Sequence, residues 1–426
     1  MSFIPSWREV PAEPGRVVAP DERLPWPQTA ALGVQHVIAM FGATVLAPLL
    51  MGFDPNVAIL MSGVGTLIFF ALTGGKVPSY LGSSFAFIGV VIAASGYAGG
   101  GANANIGVAL GGIMACGALY TAIGVLVKLG GTAWIERLMP PVVTGAVVAV
   151  IGLNLAGVPI KNMAPTDFDK WMQAITFLCV GLVAVRTSGM VQRLLILVGL
   201  VAASLIYAVL TNGLGLGKPI DATGLMNAAW FGLPHFAAPV FEGNAMLLIA
   251  PVALILVAEN LGHLKAVGAM TGRDLSGSMG CAFIGDGVAT MVSGAVGGSG
   301  VTTYAENIGV MAATRIYSTA MFVVAALIAV LLGFSPKFGA LIQMIPLAVM
   351  GGVSIVVFGL IAVAGAKIWV DNKVDFTDST NLIVTAVTLV LGTGDYTLKF
   401  GSFAMGGIGT ATFGAVLLYA LLRKKA

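Results

Sequence analysis

Fourteen apolar runs follow one another along this chain, at 29–50, 56–74, 78–95, 104–129, 139–158, 172–188, 190–214, 244–264, 277–293, 301–313, 316–334, 339–364, 380–396 and 402–422. A helix crosses a bilayer with about 20 apolar residues. Lipid offers the backbone no partners, so a chain of this kind must satisfy its peptide groups internally. The succession therefore predicts an all-α integral membrane protein. Only 9% of its residues are charged, against roughly 25% in soluble domains. A net charge of +3 is too small to point to nucleic acid. Cys116, Cys179 and Cys281 each lie within an apolar run and without ligand spacing, so neither a disulfide framework nor a metal site is expected. No cofactor is expected either.

Residues 1–28 are polar and Pro-rich and lack an apolar signal-peptide core. They are expected to form a cytoplasmic tail. With both termini inside, the inner segments carry sixteen Lys and Arg, Lys424 and Lys425 included, and the outer segments carry five. That split obeys the positive-inside rule. It puts the long 214–243 connection, with His235, outside. The organisation expected is that of a multi-pass protein of a bacterial-type inner membrane.

Two runs are short for full spans. Run 78–95 opens with PSYLGSS, and run 301–313 follows GAVGGSG. Each predicts a half-helix entered through an extended stretch. The two also resemble one another. SSFA at 83–86 matches TTYA at 302–305, and IGV returns in both after one inserted residue. A second pair, PPVVTGAVVAV at 140–150 and PLAVMGGVSIV at 346–356, has a similar offset. Seven runs per half is an odd number, so the second copy is expected to be inverted in the membrane. Inverted repeats with paired broken helices point to a secondary transporter with a binding site where the breaks meet.

Ionisable side chains inside the membrane are costly and default to functional candidates. Of eighteen acids, Glu259, Asp286 and Glu306 fall inside apolar runs; of three histidines, His36 and His263 do. Glu259 and His263 are spaced i,i+4 and share one helix face. Glu306 stands at the start of the second half-helix, where unpaired N–H groups and the helix dipole favour negative charge. The plainer reading makes it a capping acid. Phe85 and Ala86 open the first half-helix in the same way. Such a cavity suits a small planar solute whose carbonyls accept from backbone N–H and whose ring N–H groups donate to carboxylates. Phe85 or Tyr304 is placed to close over a ring. Burial favours the neutral form of a carboxyl group, and a protonated carboxyl both donates and accepts. Binding and protonation would then favour each other, which is the basis of proton symport. Asp286, between glycines, reads equally as a second proton site or as a satisfier of a helix break. His36 reads as a satisfied core histidine or as part of the coupling network.

YLGSSFAF (80–87), AENLGHL (258–264), TTYAENIGVMAATR (302–315) and QMIPLAVMGG (343–352) resemble the nucleobase/ascorbate transporter family, and its uracil permeases in particular. The resemblance covers nearly the whole chain after residue 28. It implies fourteen transmembrane segments in a seven-plus-seven inverted repeat, with short strands before the two half-helices. It implies a core domain from 29–138 and 244–338 and a gate domain from 139–243 and 339–426. Proton-coupled uptake of uracil or a close pyrimidine is implied, often by a homodimer. The positions matching Glu259 and Glu306 would bind the base, with His263 contributing and backbone at Phe85 and Ala305 touching the ring. Tyr304 would line the pocket. Purine-type relatives usually carry Gln in place of Glu306. Ala305 departs from the glycine common in uracil permeases, and Asp286 from the Asn that some carry. The rival readings are a xanthine or urate symporter of the same fold and an anion carrier or channel, which two buried glutamates would disfavour. A membrane-embedded enzyme has no nucleophile–base pair to support it.

Overall fold

A computed structural model describes residues 6–13, 16–97, 101–400 and 403–423 of the chain. Lys424 and Lys425 of the charge argument lie outside the described residues.

The N-terminal tail is more than a polar leader. Strands β1 (Arg8–Glu9) and β2 (Glu22–Arg23) pair in parallel, and Val10, Val18 and Leu24 form a small apolar cluster between them and the membrane helices. Glu22 accepts from Arg8, and Asp21 accepts from Arg273. Helix α1 (Trp26–Met51) starts three residues earlier than the apolar run, because Pro25 and Pro27 suit a helix start, where no N–H is needed. Asp54 caps α2 (Pro55–Leu72) by accepting from the Asn56 N–H.

Strand β3 (Leu81–Ser83) and a single 3₁₀ turn (Phe85–Phe87) lead into α3 (Ile88–Ser95). There follow α4 (Ile106–Gly130), the short α5 (Ala133–Leu138), α6 (Pro141–Leu155) and its bent extension α7 (Gly157–Asn162). Helix α8 (Asp167–Arg186) opens with a capping box between Thr166 and Asp169. The short α9 (Gly189–Arg193) leads to α10 (Leu195–Ala208). The 214–243 connection carries only α11 (Thr223–Asn227) and is tied down by His235, whose N–H donates to Asp54 at 3.0 Å. Pro251 splits the eighth run into α12 (Gly243–Ile249) and α13 (Val252–Thr271). Helix α14 (Met279–Val296), strand β4 (Val301–Thr303) and α15 (Ala305–Thr314) mirror the α2–β3–α3 passage. Then come α16 (Thr319–Gly333), α17 (Pro336–Gln343) and α18 (Leu347–Asp371). Helix α19 (Ser379–Thr393), a hairpin of β5 (Leu398–Phe400) and β6 (Phe403–Met405), and α20 (Gly407–Leu422) complete the chain.

Every apolar run contains helix. Among the described residues nine helical stretches are long and apolar enough to cross a bilayer unaided, or ten with α16 and α17 taken together. The half-helices, α19 and α20 are shorter. The run at 339–364 is not one helix. Pro346 has no N–H to continue α17, so α18 begins afresh, and α17 lies bent by 82° from α16.

The paired motifs sit at matching places. Pro140 and Pro346 are the N-caps of α6 and α18. Strands β3 and β4 pair antiparallel around Gly82 opposite Thr302. That register corresponds to an offset of 220, which IGV also obeys, so Phe85 is the counterpart of Ala305. The Ser-Ser/Thr-Thr alignment is one residue out of step.

Helices α1, α2, α4, α14 and α16 pack among themselves, and α6, α8, α10, α18, α19 and α20 do likewise. Helices α6 and α18 touch through glycine. A Cβ on Gly365 would lie 2.4 Å from the Ala149 nitrogen, and one on Gly145 would lie 2.2 Å from Trp369 Nε1. Small residues of this kind let membrane helices approach closely. Gly365→Leu should cost about 1–3 kcal/mol through overpacking. Thermal melting in detergent checks this, and an unchanged midpoint would refute the contact.

The tail gives a pH prediction. Arg8, then the Ala19 N–H at 3.1 Å, hold the Glu22 carboxyl below the usual glutamate range. A folded-state pKa below the unfolded one stabilises fully above the unfolded value, and that stability is lost as pH falls through the folded value. Amide exchange at Val10 and Val18, bonded to Arg23 and Arg315 carbonyls, should stay protected from neutral pH to about 5 and lose protection below roughly pH 4.

Candidate functional site

The site is built on two paired antiparallel strands. Lipid cannot satisfy an extended backbone, and here neighbouring side chains complete what the two-stranded ladder leaves open. The Leu81 N–H donates to Thr66 Oγ1 at 2.9 Å, and Thr290 Oγ1 donates to the Val301 carbonyl at 3.0 Å. The Ser84 N–H reaches the Gly300 carbonyl and the Tyr304 N–H reaches the Tyr80 carbonyl. The strands run antiparallel, so the half-helices leave them in opposite directions, with the N-caps Ser84 and Tyr304 about 13 Å of strand apart.

The two N-termini differ. Ser84 caps the first by accepting from the Ala86 N–H at 3.3 Å. Tyr304 provides no side-chain cap for α15. The expectation that Ala86 offers a free donor is thus corrected: its N–H is already taken.

Helix α13 packs against β4, against α15 and against the Phe85 turn. This brings Glu259 and His263 beside Glu306, Ala305 and Phe85. Glu259, His263, Glu306 and Phe85 are half-buried, and Ala305 is exposed. A Cβ built on Gly262 or Gly309 would meet nothing within 4 Å, so both glycines border open space.

Tyr304, Asp286 and His36 lie behind this face. The Tyr304 ring lies where a Cβ on Gly82 would come within 2.5 Å of it, and its hydroxyl donates to the Ser83 carbonyl at 2.8 Å and accepts from Thr44 at 3.1 Å. It clamps one strand–helix unit to the other, in place of the pocket-lining position expected of it. Only glycine at position 82 allows that approach.

Asp286 is fully buried on α14 and accepts from Asn260 Nδ2. Asn260 also donates to the Tyr120 hydroxyl at 2.6 Å and accepts from the Thr303 hydroxyl. The Thr303 proton is therefore committed, and its oxygen, 2.8 Å from His263 Nδ1, accepts from that nitrogen. His263 is left with Nε2 as a free acceptor. A continuous chain thus runs from the open face at His263 to buried Asp286. His36 is fully buried, its Nδ1 accepting from Asn307 Nδ2 at 3.0 Å and its ring packed at a 55° tilt against Phe322 with centroids 4.6 Å apart.

Asn260, Thr303, Tyr120 and Asn307 were missed in the sequence reading. One signal was present: AENLG at 258–262 recurs as AENIG at 305–309. In both copies Glu is half-buried, Asn is fully buried and bonded inward, and Gly is exposed. Phe358 of α18 was also missed; it meets Phe85 edge-to-face at 6.1 Å. Its apolar run gave no hint.

Two half-helices entered through one antiparallel ladder, inside a multi-pass helical membrane protein, define a transporter architecture. The comparisons with known proteins agree. A family model described as "Permease family" matches residues 27–400. The chain belongs to this permease family, whose members transport solutes and are not named as enzymes. It is 68% identical over 427 residues to "Putative pyrimidine permease RutG" of Escherichia coli (strain K12), covering all of this chain and 96% of that one. It is 41% identical over 420 residues to a uracil permease of Paenibacillus larvae subsp. larvae, covering 95% and 96%. Among solved structures, the transmembrane domain of the cyanobacterial bicarbonate transporter BicA superposes with a TM-score of 0.63 at 16% identity, covering 92% of this chain and 97% of that one. SLC26A9 superposes at 0.65 and 13% identity, covering 93% and 65%. At such identities the likeness is one of fold.

Asn260→Ala should remove donors from Asp286 and Tyr120 and an acceptor from Thr303. An unsatisfied buried polar group costs roughly 1–3 kcal/mol, so a clear drop in melting temperature is expected. A variant that melts like the parent would show that the chain of bonds does not form.

Proposed function

We propose that this protein imports uracil or a closely related pyrimidine base across a bacterial inner membrane by proton symport. The observation that carries the reading is the pair of half-buried glutamates on α13 and α15, beside an uncapped half-helix N-terminus. A pyrimidine edge alternates C=O and N–H. Backbone donors at Ala305 and Phe85 would meet its carbonyls, and Glu259 and Glu306 would accept from its ring N–H groups. His263, whose Nε2 is free, would contribute at the margin. The relative at 68% identity is named a pyrimidine permease, and those at 41% and 40% are named uracil permeases.

Proton coupling would follow from the pairing of two carboxyl groups in one desolvated space. Two like charges close together disfavour full ionisation, so a proton and the base would arrive together. Glu259, His263, Asp286 and His36 are the candidate proton sites; the bonded chain from His263 to Asp286 passes through the Asn260 amide, which does not relay a proton, and would instead hold His263 in one tautomer. Segments 29–138 and 244–338 would form the core that carries the site. Segments 139–243 and 339–426 would form the gate, bringing Phe358 against Phe85. Both termini would be cytoplasmic, and the working unit would be a homodimer.

The test is uptake of labelled uracil into proteoliposomes with and without an inward proton gradient, for wild type, Glu306→Gln and Glu259→Gln. Gradient-driven uptake in wild type, reduced at least tenfold in each variant, is expected. Uptake indifferent to the gradient would refute symport. Inhibition of uracil uptake by excess xanthine as strong as by excess unlabelled uracil would move the substrate assignment to purines.

A further inference from the structure

A second cavity lies away from the glutamates, and no part of the proposed transport reaction uses it. It encloses about 900 Å³ between α1, α10, α16 and α17. Val37, Phe41, Leu200, Ile328 and Ile342 are among the apolar side chains that line it. Its polar lining residues are Ser204 and Asn212. The Asn212 side chain is spent on the backbone of Ile220, donating at 3.0 Å and accepting at 2.9 Å. Ser204 Oγ has no partner. A polar solute would find almost nothing to bond there. Water would be held poorly, because a buried water needs two to four polar partners.

The rim of the cavity is continuous with the outer surface of the helix bundle. Val34, Val201, Leu205 and Leu341 line it and are 45%, 47%, 63% and 48% exposed. These are side chains that a membrane protein turns toward hydrocarbon. From Leu197 to Asn212 the groove follows roughly 22 Å of helical chain, more than the roughly 15 Å of one hydrocarbon leaflet. One end has a different chemistry. There α17 turns 82° from α16 and puts Phe338 into the cavity, with Lys337 next to it in sequence and stacked over Trp230 at 4.8 Å. Lys218 stands two residues before lining residue Ile220. A recessed apolar groove, open to lipid along its side and with Lys218 and Lys337 close in the chain to lining residues Ile220 and Phe338, matches a molecule with long apolar tails and an anionic phosphate.

We infer that this groove holds the acyl chains of a phospholipid as a bound, structural ligand, with its phosphate at the Lys218–Lys337 end. Its position gives the lipid a role. Helices α1 and α16 belong to one packed group and α10 to the other. Near the groove the groups meet tightly at Gly42, where a Cβ would lie 2.6 Å from Ile196 Cγ2. Elsewhere along the groove the space between them is filled by hydrocarbon that can deform when the groups shift.

The experiment reconstitutes the full chain in vesicles of phosphatidylethanolamine and phosphatidylglycerol. The phosphatidylethanolamine carries a diazirine in its acyl chain, and adducts are mapped by mass spectrometry after photolysis. Adducts at Ile328 and Ile345, inside the groove, should exceed those at Leu178 and Val185, on the open face of α8, by at least threefold. They should persist when the protein is washed in detergent before photolysis. Ala208→Trp, which fills the groove, should reduce them to the reference level while Leu178 stays unchanged, with a melting curve showing that the fold is kept. Lys218→Gln combined with Lys337→Gln, which leaves the lining untouched, should shorten retention through the wash. Groove adducts no more frequent than those at Leu178 would overturn the inference, as would their loss on washing. Leu205→Cys yielding a cross-linked dimer in the membrane would assign the groove to a second copy and overturn it equally.

Discussion

Everything in the candidate site depends on one constraint, that extended backbone inside a membrane must find all of its hydrogen-bond partners within the protein. Strands β3 and β4 meet it by pairing with one another, and Thr66 and Thr290 satisfy backbone groups beside the ladder. Because each half of the chain supplies one strand, neither half can complete its broken helix alone. The pairing also fixes where the half-helices begin, and so where their N-termini lie relative to Glu259 and Glu306. Tyr304 shows how tightly this is held. Its ring lies against Gly82 and its hydroxyl bonds to Ser83, so one repeat is locked onto the other by a residue whose position in the motif suggested a ligand contact.

The two Ala-Glu-Asn-[Leu/Ile]-Gly stretches divide the work between adjacent residues. The glutamate faces open space and stays half-buried, while the following asparagine turns inward and is fully buried. Asn260 joins Tyr120, Thr303 and Asp286; Asn307 holds His36. A glutamate next to an apolar side chain would have nothing rigid behind it, and a misplacement of an ångström is costly in a binding site. The asparagines fix the helix rotation that aims each carboxylate. The half-helix starts are unequal as well, since Ser84 spends its oxygen on the Ala86 N–H and Tyr304 has none to give. The pseudo-symmetry of the scaffold is thereby broken at the place where an asymmetric solute would bind.

The same scaffold carries a bicarbonate transporter and SLC26A9 at 16% and 13% identity. A fold shared this widely does not name a substrate, and side chains at the site must do so. In this chain the half-helix dipoles that would suit an anion are accompanied by two carboxyl groups that would repel one. That contrast argues for a neutral solute with its own N–H donors.

The sequence by itself determined the class of protein, its helical membrane architecture, its two broken helices and most of the polar residues at its centre. It could do so because each is a local or periodic property: apolar run length, Pro and Gly breaks, and the rarity of charge within the runs. It also carried the internal repeat, although the one-residue shift between SSFA and TTYA was settled only by the register of the strands. The tertiary structure decided which polar residues face the open space and which stand behind it. Tyr304, Asp286 and His36 were indistinguishable from the front-facing residues in sequence, because the side on which a side chain lies depends on contacts with segments more than a hundred residues away. Phe358 meets Phe85 only because α18 packs beside a strand-entered turn from the other half of the chain. Helix rotation and long-range pairing are set by packing, and a linear pattern of apolar residues does not encode them.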